Sequence, residues 1–361
     1  MTDTAWHSVH IHHHERDRSG LVLDAVAPFL RRHRESLAGA YLTPHWRQGP
    51  HLRVHFRTTE QAWERHLKPE LLDGLGRYLR DHPSGTVLDP AASLDRHRQL
   101  AAAEQETGPL TPWLPNNSLH FPEYVSRAHA LGDDPVAAEL LEDFSSDTTP
   151  LLIDQLQRVR RGADSLDGIA FGLLLSTAHT AGGVARNVGS FRAHGEGYLA
   201  QTSDPDATRS AFDRAYRSRR DVLLHRLDET VAALDTEIDS QHWTVAWAAA
   251  IGRLHERAWA LVENGLMTKL SLSSEEALSH PRQPEYNRIA YGNPEYVRRG
   301  LRNPEFLRYR VVLNWTYLHL TRLGLSPRRR FLLCHLAAET IEERYGVSAI
   351  GFLRTFVAEH P

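Results

Sequence analysis

The chain has 361 residues and a mass of 40.9 kDa, with 41% apolar and 24% charged side chains, the balance of a folded globular protein rather than a disordered one. A formal charge of −3 argues against a general polyanion binder, and a single cysteine, Cys334, excludes an intrachain disulfide and a cysteine zinc cluster. The longest apolar runs, Ile169 to Leu175 and Val245 to Ile251, fall far short of the ~20 residues that span a bilayer; with no secretory signal at the start, the expected location is cytoplasmic.

In chain order, the first 20 residues alternate like a strand, with Trp6, Ser8, His10 and His12 on one face and His7, Val9, Ile11 and His13 on the other. Leu21 to Leu37 reads as an amphipathic helix that Pro28 kinks or delays. A second strand at 49–57 puts Leu52, Val54 and Phe56 toward a core and His51, Arg53, His55 and Arg57 on a basic, hydrogen-bonding face. Helical patterns follow at 61–80, broken near Pro69, and at 93–106, then an irregular proline- and asparagine-rich stretch at 108–123. Ile169 to Thr180 reads as a buried helix stopped by Gly182-Gly183. Ser203-Asp204-Pro205-Asp206 opens another that runs to about Leu234. Trp243 to Leu266 follows, then twin Asn-Pro-Glu starts at Asn293 and Asn303, and helices near 305–323, 327–345 and 348–358. The fold class is α+β: one unit over 1–361 with a strand-containing front at about 1–60 and a mainly helical body at about 60–361.

The chain has 23 histidines, and those at 10, 12, 13 and 14 could suggest a metal site. No carboxylate shares their spacing, so they read as a solvated or hydrogen-bonding strand edge, and no metal is expected. Gly195-Glu196-Gly197-Tyr198-Leu199-Ala200 fits a dinucleotide fingerprint only formally, since no apolar strand precedes it. Lys68 and Lys269 are the only lysines, which weakens any lysine-based chemistry. Arginine clusters at 158–161, 217–220 and 328–330 read as solvated helix faces that an acidic peptide would find attractive. Ser279-His280 is a polar loop pair without an assigned role.

Three segments in order resemble one family. Tyr41-Leu42-Thr43-Pro44-His45-Trp46-Arg47-Gln48-Gly49-Pro50-His51-Leu52-Arg53 resembles the opening of the elimination domain of lanthipeptide dehydratases. Ser190-Phe191-Arg192-Ala193-His194-Gly195-Glu196 is similar to that family's Ser-x-Arg-x-His-x-Glu helix start, and Tyr317-Leu318-His319-Leu320-Thr321-Arg322-Leu323-Gly324 to its C-terminal His-x-His-x-Asn-Arg-Leu-Gly helix. Tyr317 stands where glutamate-eliminating members carry a histidine, and Thr321 where they carry asparagine. Tyr317 and the Pro-Asn-Asn-Ser stretch at 115–118 look instead like the thiopeptide pyridine synthases.

That resemblance implies a formal [4+2] cycloaddition between two dehydroalanines of an azole-containing precursor peptide, then loss of water and of the leader to give a pyridine. It implies no metal and no cofactor. The expected partner is the modified precursor with its leader, bound through the N-terminal part, with other enzymes of the pathway possible and neither nucleic acid nor membrane. Tyr317 and Tyr291 are expected to hydrogen-bond the imidate and the adduct hydroxyl, and His194 to move protons. His51, Arg53, Arg57 and Arg192 are the expected peptide-binding residues. The alternatives are glutamate elimination, with His319 supplying the missing imidazole, and a non-catalytic leader carrier.

Overall fold

A computed structural model describes residues 3–236, 243–269, 273–279 and 282–360; His280 of the Ser279-His280 pair lies outside them. Contacts divide the chain into two units, 1–163 with 321–324, and 164–320 with 325–361.

The first unit is built on a four-stranded antiparallel sheet of order β2-β3-β1-β4: β1 Ala5–His12, β2 Gly39–His45, β3 His51–Thr58 and β4 Ser118–His120. The two expected strands are present. β2 and the three-residue β4 are the edge strands, and the proline of β2 and the polar residues of both mask their alternation. The fourth strand and the helices to residue 160 group with the sheet, well past the expected front at 1–60. The register sets Val9 beside Val54 and Ile11 beside Leu52, so one face is apolar and buried, and on it the Phe56 ring meets those of Phe29 and Trp63. The opposite face carries Trp6, Ser8, His10, His12, Tyr41, His45, His51, Arg53 and His55.

That second face is not a solvated edge. His12, His51 and His55 are only 0–5% exposed. Their rings stack, His12 on His51 at 4.5 Å and His10 on His51 at 4.8 Å between centroids. Ser8 Oγ and His55 Nδ1 are 3.1 Å apart. Tyr124 stacks over Trp6 and shares a hydrogen bond with the Tyr41 hydroxyl at 2.9 Å. The segment after β4 therefore roofs the polar face, which a reading of strand alternation does not foresee. Asn116 and Asn117 pin the 84–86 loop, accepting from the His14 and Ser84 amides and donating to the Ser84 carbonyl.

Arg322 is buried in this unit and donates to four neutral oxygens: the carbonyls of Leu42 (2.8 Å) and Ser145 (2.9 Å) and the hydroxyls of Thr148 (2.9 Å) and Thr149 (2.6 Å). Burial pushes its guanidinium down to about 9. Arg322→Met keeps the bulk and leaves these acceptors unpaired, at ~1–3 kcal/mol for each one that water cannot reach. The urea midpoint is expected to fall accordingly; an unchanged midpoint would mean that water replaces the guanidinium.

The second unit is helical. Its longer helices are α1 Leu166–Thr180, α2 Val184–Gln201, α3 Pro205–Arg217, α4 Arg220–Thr236, α5 Thr244–Glu263, α6 Glu285–Gly292, α7 Pro304–Arg322 (to residue 320 in this unit), α8 Pro327–Tyr345 and α9 Ala349–Glu359. α1 is buried from Ile169 to Ala178, and it stops where Gly182 and Gly183 adopt φ of +117° and +103°. Asp204 caps α3 as its sequence signal predicts, but a break at 218–219 makes two helices of the expected one. Asn293 and Asn303 both act as caps, their Oδ1 atoms accepting from Tyr296 N at 2.7 Å and Glu305 N at 2.9 Å. The Ser190–Glu196 segment lies mid-helix rather than at a helix start, so Gly195 and Gly197 make no phosphate turn. Among the described residues no helix is long and apolar enough to cross a membrane.

Candidate functional site

A cleft with a cavity volume of about 180 Å³, open at its mouth, lies wholly within the second unit. α2 contributes Ser190 and His194, four residues apart and so on one helical stripe. α6 presents Tyr286, Asn287 and Tyr291, and α7 presents Arg310 and Asn314. Leu301, Phe306 and Leu313 form an apolar wall. The approach of α6 to α2 requires a glycine: a Cβ on Gly189 would sit 2.4 Å from the Tyr286 hydroxyl.

Of the three expected catalytic residues, His194 and Tyr291 line this cleft. Tyr317 does not. It is buried one layer behind, with its hydroxyl 2.7 Å from His194 Nδ1 and 3.4 Å from Cys334 Sγ. Burial, followed by the Arg330 and Arg310 guanidiniums, pushes the His194 imidazole down to about 4, so it is neutral near pH 7. Burial and the neighbouring Cys334 hold the Tyr317 hydroxyl well above the ordinary phenol range. Burial likewise pushes the Cys334 thiol up to about 11 and keeps it protonated.

Arg192 faces elsewhere. It is 8% exposed and held by carboxylates of α8, at 2.7 Å to Glu339 and also by Glu342, with Glu196 at 3.9 Å. It pins α2 to α8 and does not line the cleft. His319 is also remote from the cleft wall: it is fully buried with its ring 4.6 Å from that of Trp247. The 200° rotation between neighbouring-but-one helical positions separates it from Tyr317.

His51, Arg53 and Arg57 belong to the first unit. Arg53 donates from Nε to His51 Nε2 at 3.1 Å and lies 3.0 Å from His45 Nδ1 through Nη2; Arg57 lies 3.6 Å from Asp143. His45, Glu104 and Glu106 bring possible metal-ligand atoms within 4.8 Å of one another. Each already has a partner: His45 Nε2 meets Glu106 at 3.1 Å, the Trp46 indole donates to Glu104 at 3.1 Å, and Arg47 lies 3.7 Å from Glu106. His45, Arg47 and Arg53 together hold the Glu106 carboxyl down at about 2 against its burial. The group is a charge-compensated knot, poorly suited to a dication. The arginine clusters are also partly neutralised, Arg160 by Asp24 (2.6 Å), Arg219 and Arg329 by Asp167, and Arg220 by Glu343, which weakens them as a track for an acidic peptide.

Sequence reasoning missed Ser190, Asn287 and Arg310 on the cleft wall. Arg310 and Asn314 lie seven and three residues before Tyr317, a helical spacing that could have found Arg310.

Residues 6–341 match the family model described as lantibiotic biosynthesis dehydratase, C-terminal. The structure is similar to that of the pyridine synthase TbtD from thiomuracin biosynthesis, at 34% identity and a TM-score of 0.76 over 95% of this chain and 99% of that one. It is also similar to TsrL (21% identity, TM-score 0.64, 98% of each chain). A third likeness is to the tRNA-dependent lantibiotic dehydratase MibB from Microbispora sp. 107891 (14% identity, TM-score 0.50, 94% of this chain and 28% of that one). The last two share the fold alone. No curated protein sequence matches the chain.

Proposed function

The chain belongs to the family of lantibiotic biosynthesis dehydratase C-terminal domains, and from that premise we propose that it is a pyridine synthase of thiopeptide biosynthesis. The likeness along nearly the whole length of TbtD carries this reading. Its substrate is a leader-bearing, azole-containing peptide with two dehydroalanines. One dehydroalanine, with the imidate form of the adjoining amide, acts as a two-aza-diene, and the other is the alkene. Two new bonds close a six-membered nitrogen ring that carries a hydroxyl. Loss of that hydroxyl as water, then of the leader as a carboxamide, leaves the pyridine.

The main obstacle is entropic, since two distant residues of a flexible chain must meet. Holding them together accounts for ~7–11 kcal/mol of the barrier. The apolar wall of Leu301, Phe306 and Leu313 takes the flat azole-bearing side of the peptide, and Asn287 and Asn314 take its amides. His194, neutral and bonded to Tyr317 through Nδ1, presents Nε2 to the amide oxygen that becomes the imidate. Arg310 adds positive charge beside it. The Tyr291 phenol gives its proton to the departing hydroxyl, and the phenolate removes the ring proton, so the side chain ends as it began. The same cycle protonates the departing leader amide. Arg53 and Arg57, both half-buried, remain the proposed contacts of the first unit to the peptide, whereas His51 is buried with its ring nitrogens taken by the Gly49 carbonyl and Arg53 and serves to hold Arg53 in place.

Glutamate elimination is not favoured, because Tyr317 replaces the imidazole and His319 is packed away from the cleft. The deciding experiment is mass spectrometry of the protein with a leader-bearing, azole-containing peptide holding two dehydroalanines. An amidated leader and a macrocyclic core with pyridine absorbance are expected. Glutamate released from a glutamylated peptide, without cyclisation of the first, would replace this reading with elimination.

A further inference from the structure

Behind the cleft wall, three side chains that do not themselves line it form a column ending on His194. The Arg330 guanidinium lies over the Tyr317 ring, 4.9 Å from its centroid, and 4.8 Å from that of Phe331. The Tyr317 hydroxyl lies between His194 Nδ1 at 2.7 Å and Cys334 Sγ at 3.4 Å. The Tyr317 and His194 rings meet edge to face, at 76° with centroids 5.2 Å apart.

We infer that Arg330, Tyr317 and Cys334 are a positioning column for His194, which fixes the imidazole as the tautomer with its proton on Nε2, toward the cleft. The proton assignment follows from donor and acceptor strength. A phenol is the stronger donor of the pair and a neutral imidazole nitrogen the stronger acceptor, so the short contact is O–H donating to Nδ1. The reverse arrangement would set the weaker donor, a neutral imidazole N–H, on the weaker acceptor, a phenol oxygen, at this short distance. The protonated Cys334 thiol donates to the Tyr317 oxygen. Arg330, stacked on the ring face, keeps the ring in place and sets a positive charge near the imidazole.

Among the described residues, α8 brings the Arg330 charge and, behind Tyr317, Cys334; α7 brings Arg310 and Tyr317; and α6 brings Tyr286 and Tyr291 to the shared cleft. None of these is a carboxylate, and the two arginines disfavour an imidazolium, so the column and the neutral imidazole are mutually consistent. Glu196, two residues along α2, is engaged by Arg209.

The inference deepens the proposed function, because a fixed donor face on His194 matters only if the cleft holds the peptide. It is tested on the substrate-free protein, so the two can fail separately. The measurement is the ring nitrogen shifts of ¹⁵N-histidine-labelled protein, with His194 assigned by its loss in His194→Gln. The wild type is expected to show an unprotonated Nδ1 and a protonated Nε2. Tyr317→Phe should give averaged shifts and a higher titration midpoint, because the hydrogen bond to the neutral form is lost. Arg330→Met, which keeps the stacking bulk, should raise the midpoint alone, and Cys334→Ala should leave the tautomer in place. A proton on Nδ1 in the wild type would overturn the inference. So would an Arg330→Met midpoint identical to the wild type, a result that stands even if Tyr317→Phe does not fold. A fixed tautomer without any cyclisation would spare the column and sink the function.

Discussion

Tyr291→Phe is expected to lower the rate of pyridine formation about 10²–10⁴-fold while leaving peptide affinity nearly unchanged. Phenylalanine keeps the ring on the cleft wall, where Tyr291 stands with residues of α6 and α7. What is lost is the group that gives a proton to the departing hydroxyl and takes one from the ring. His194→Ala removes a hydrogen-bond donor to the developing imidate and should reduce turnover roughly 10²–10³-fold, the usual effect of deleting one such donor. The two variants should differ in what accumulates. If Tyr291 serves the aromatisation, its variant builds up a hydroxylated cyclic adduct whose mass equals that of the linear peptide. The His194 variant leaves the peptide uncyclised. Single-turnover mass spectrometry with proteolysis, which distinguishes ring from chain, decides the point. Wild-type rates in Tyr291→Phe would remove the phenol from the mechanism.

The second large effect concerns acid. In the first unit, burial pushes His10 down to about 2, His12 and His55 to about 3 and His45 to about 4, and holds His51 well below its ordinary range. In the unfolded chain each regains a pKa of ~6.5. Below that pH the unfolded state binds protons that the folded state refuses, so stability falls as pH falls, and continues to fall down to about 4 and below. Each such histidine contributes at most ~1.4 kcal/mol per pH unit. Several together rival the ~5–15 kcal/mol that holds a typical domain. Glu106 adds to the same trend at the lower end, because its depressed carboxyl contributes stability that is lost as pH falls from the ordinary carboxylate range to about 2. The expected result is loss of the first unit's tertiary signal between about pH 6 and 4, monitored by the fluorescence of Trp6 and Trp46. A flat profile over that range would mean that the imidazoles take up protons within the fold. The cyclisation rate would then have to be corrected for no loss of folded protein at mildly acidic pH.

Much of the architecture was legible because it rests on local signals. The glycine pair at 182–183, Asp204, Asn293 and Asn303 act through their own backbone neighbours and end or start helices where the sequence places them. The alternation at 51–57 fixes which side chains share a face, and the three ordered segments identify the family. The same local rules could not say what lies above a strand. The polar face of β1 and β3 looked solvated because polar side chains usually are, yet Tyr124 and the helices after β4 cover it, and the imidazoles pair with one another. That cover comes from residues more than 60 positions away, beyond any periodicity.

The site divides in the same way. The sequence determined that His194, Tyr291 and Tyr317 belong to one helical body, and that an imidazole has been replaced by a phenol at position 317. Only the tertiary structure decided that His194 and Tyr291 meet across a cleft while Tyr317 stands behind His194, and that Arg192 pins two helices. A helix presents all its faces to a sequence equally. Which face meets the cleft and which meets a neighbour is set by the packing of α2 against α6, α7 and α8, through contacts 90 to 150 residues apart in the chain.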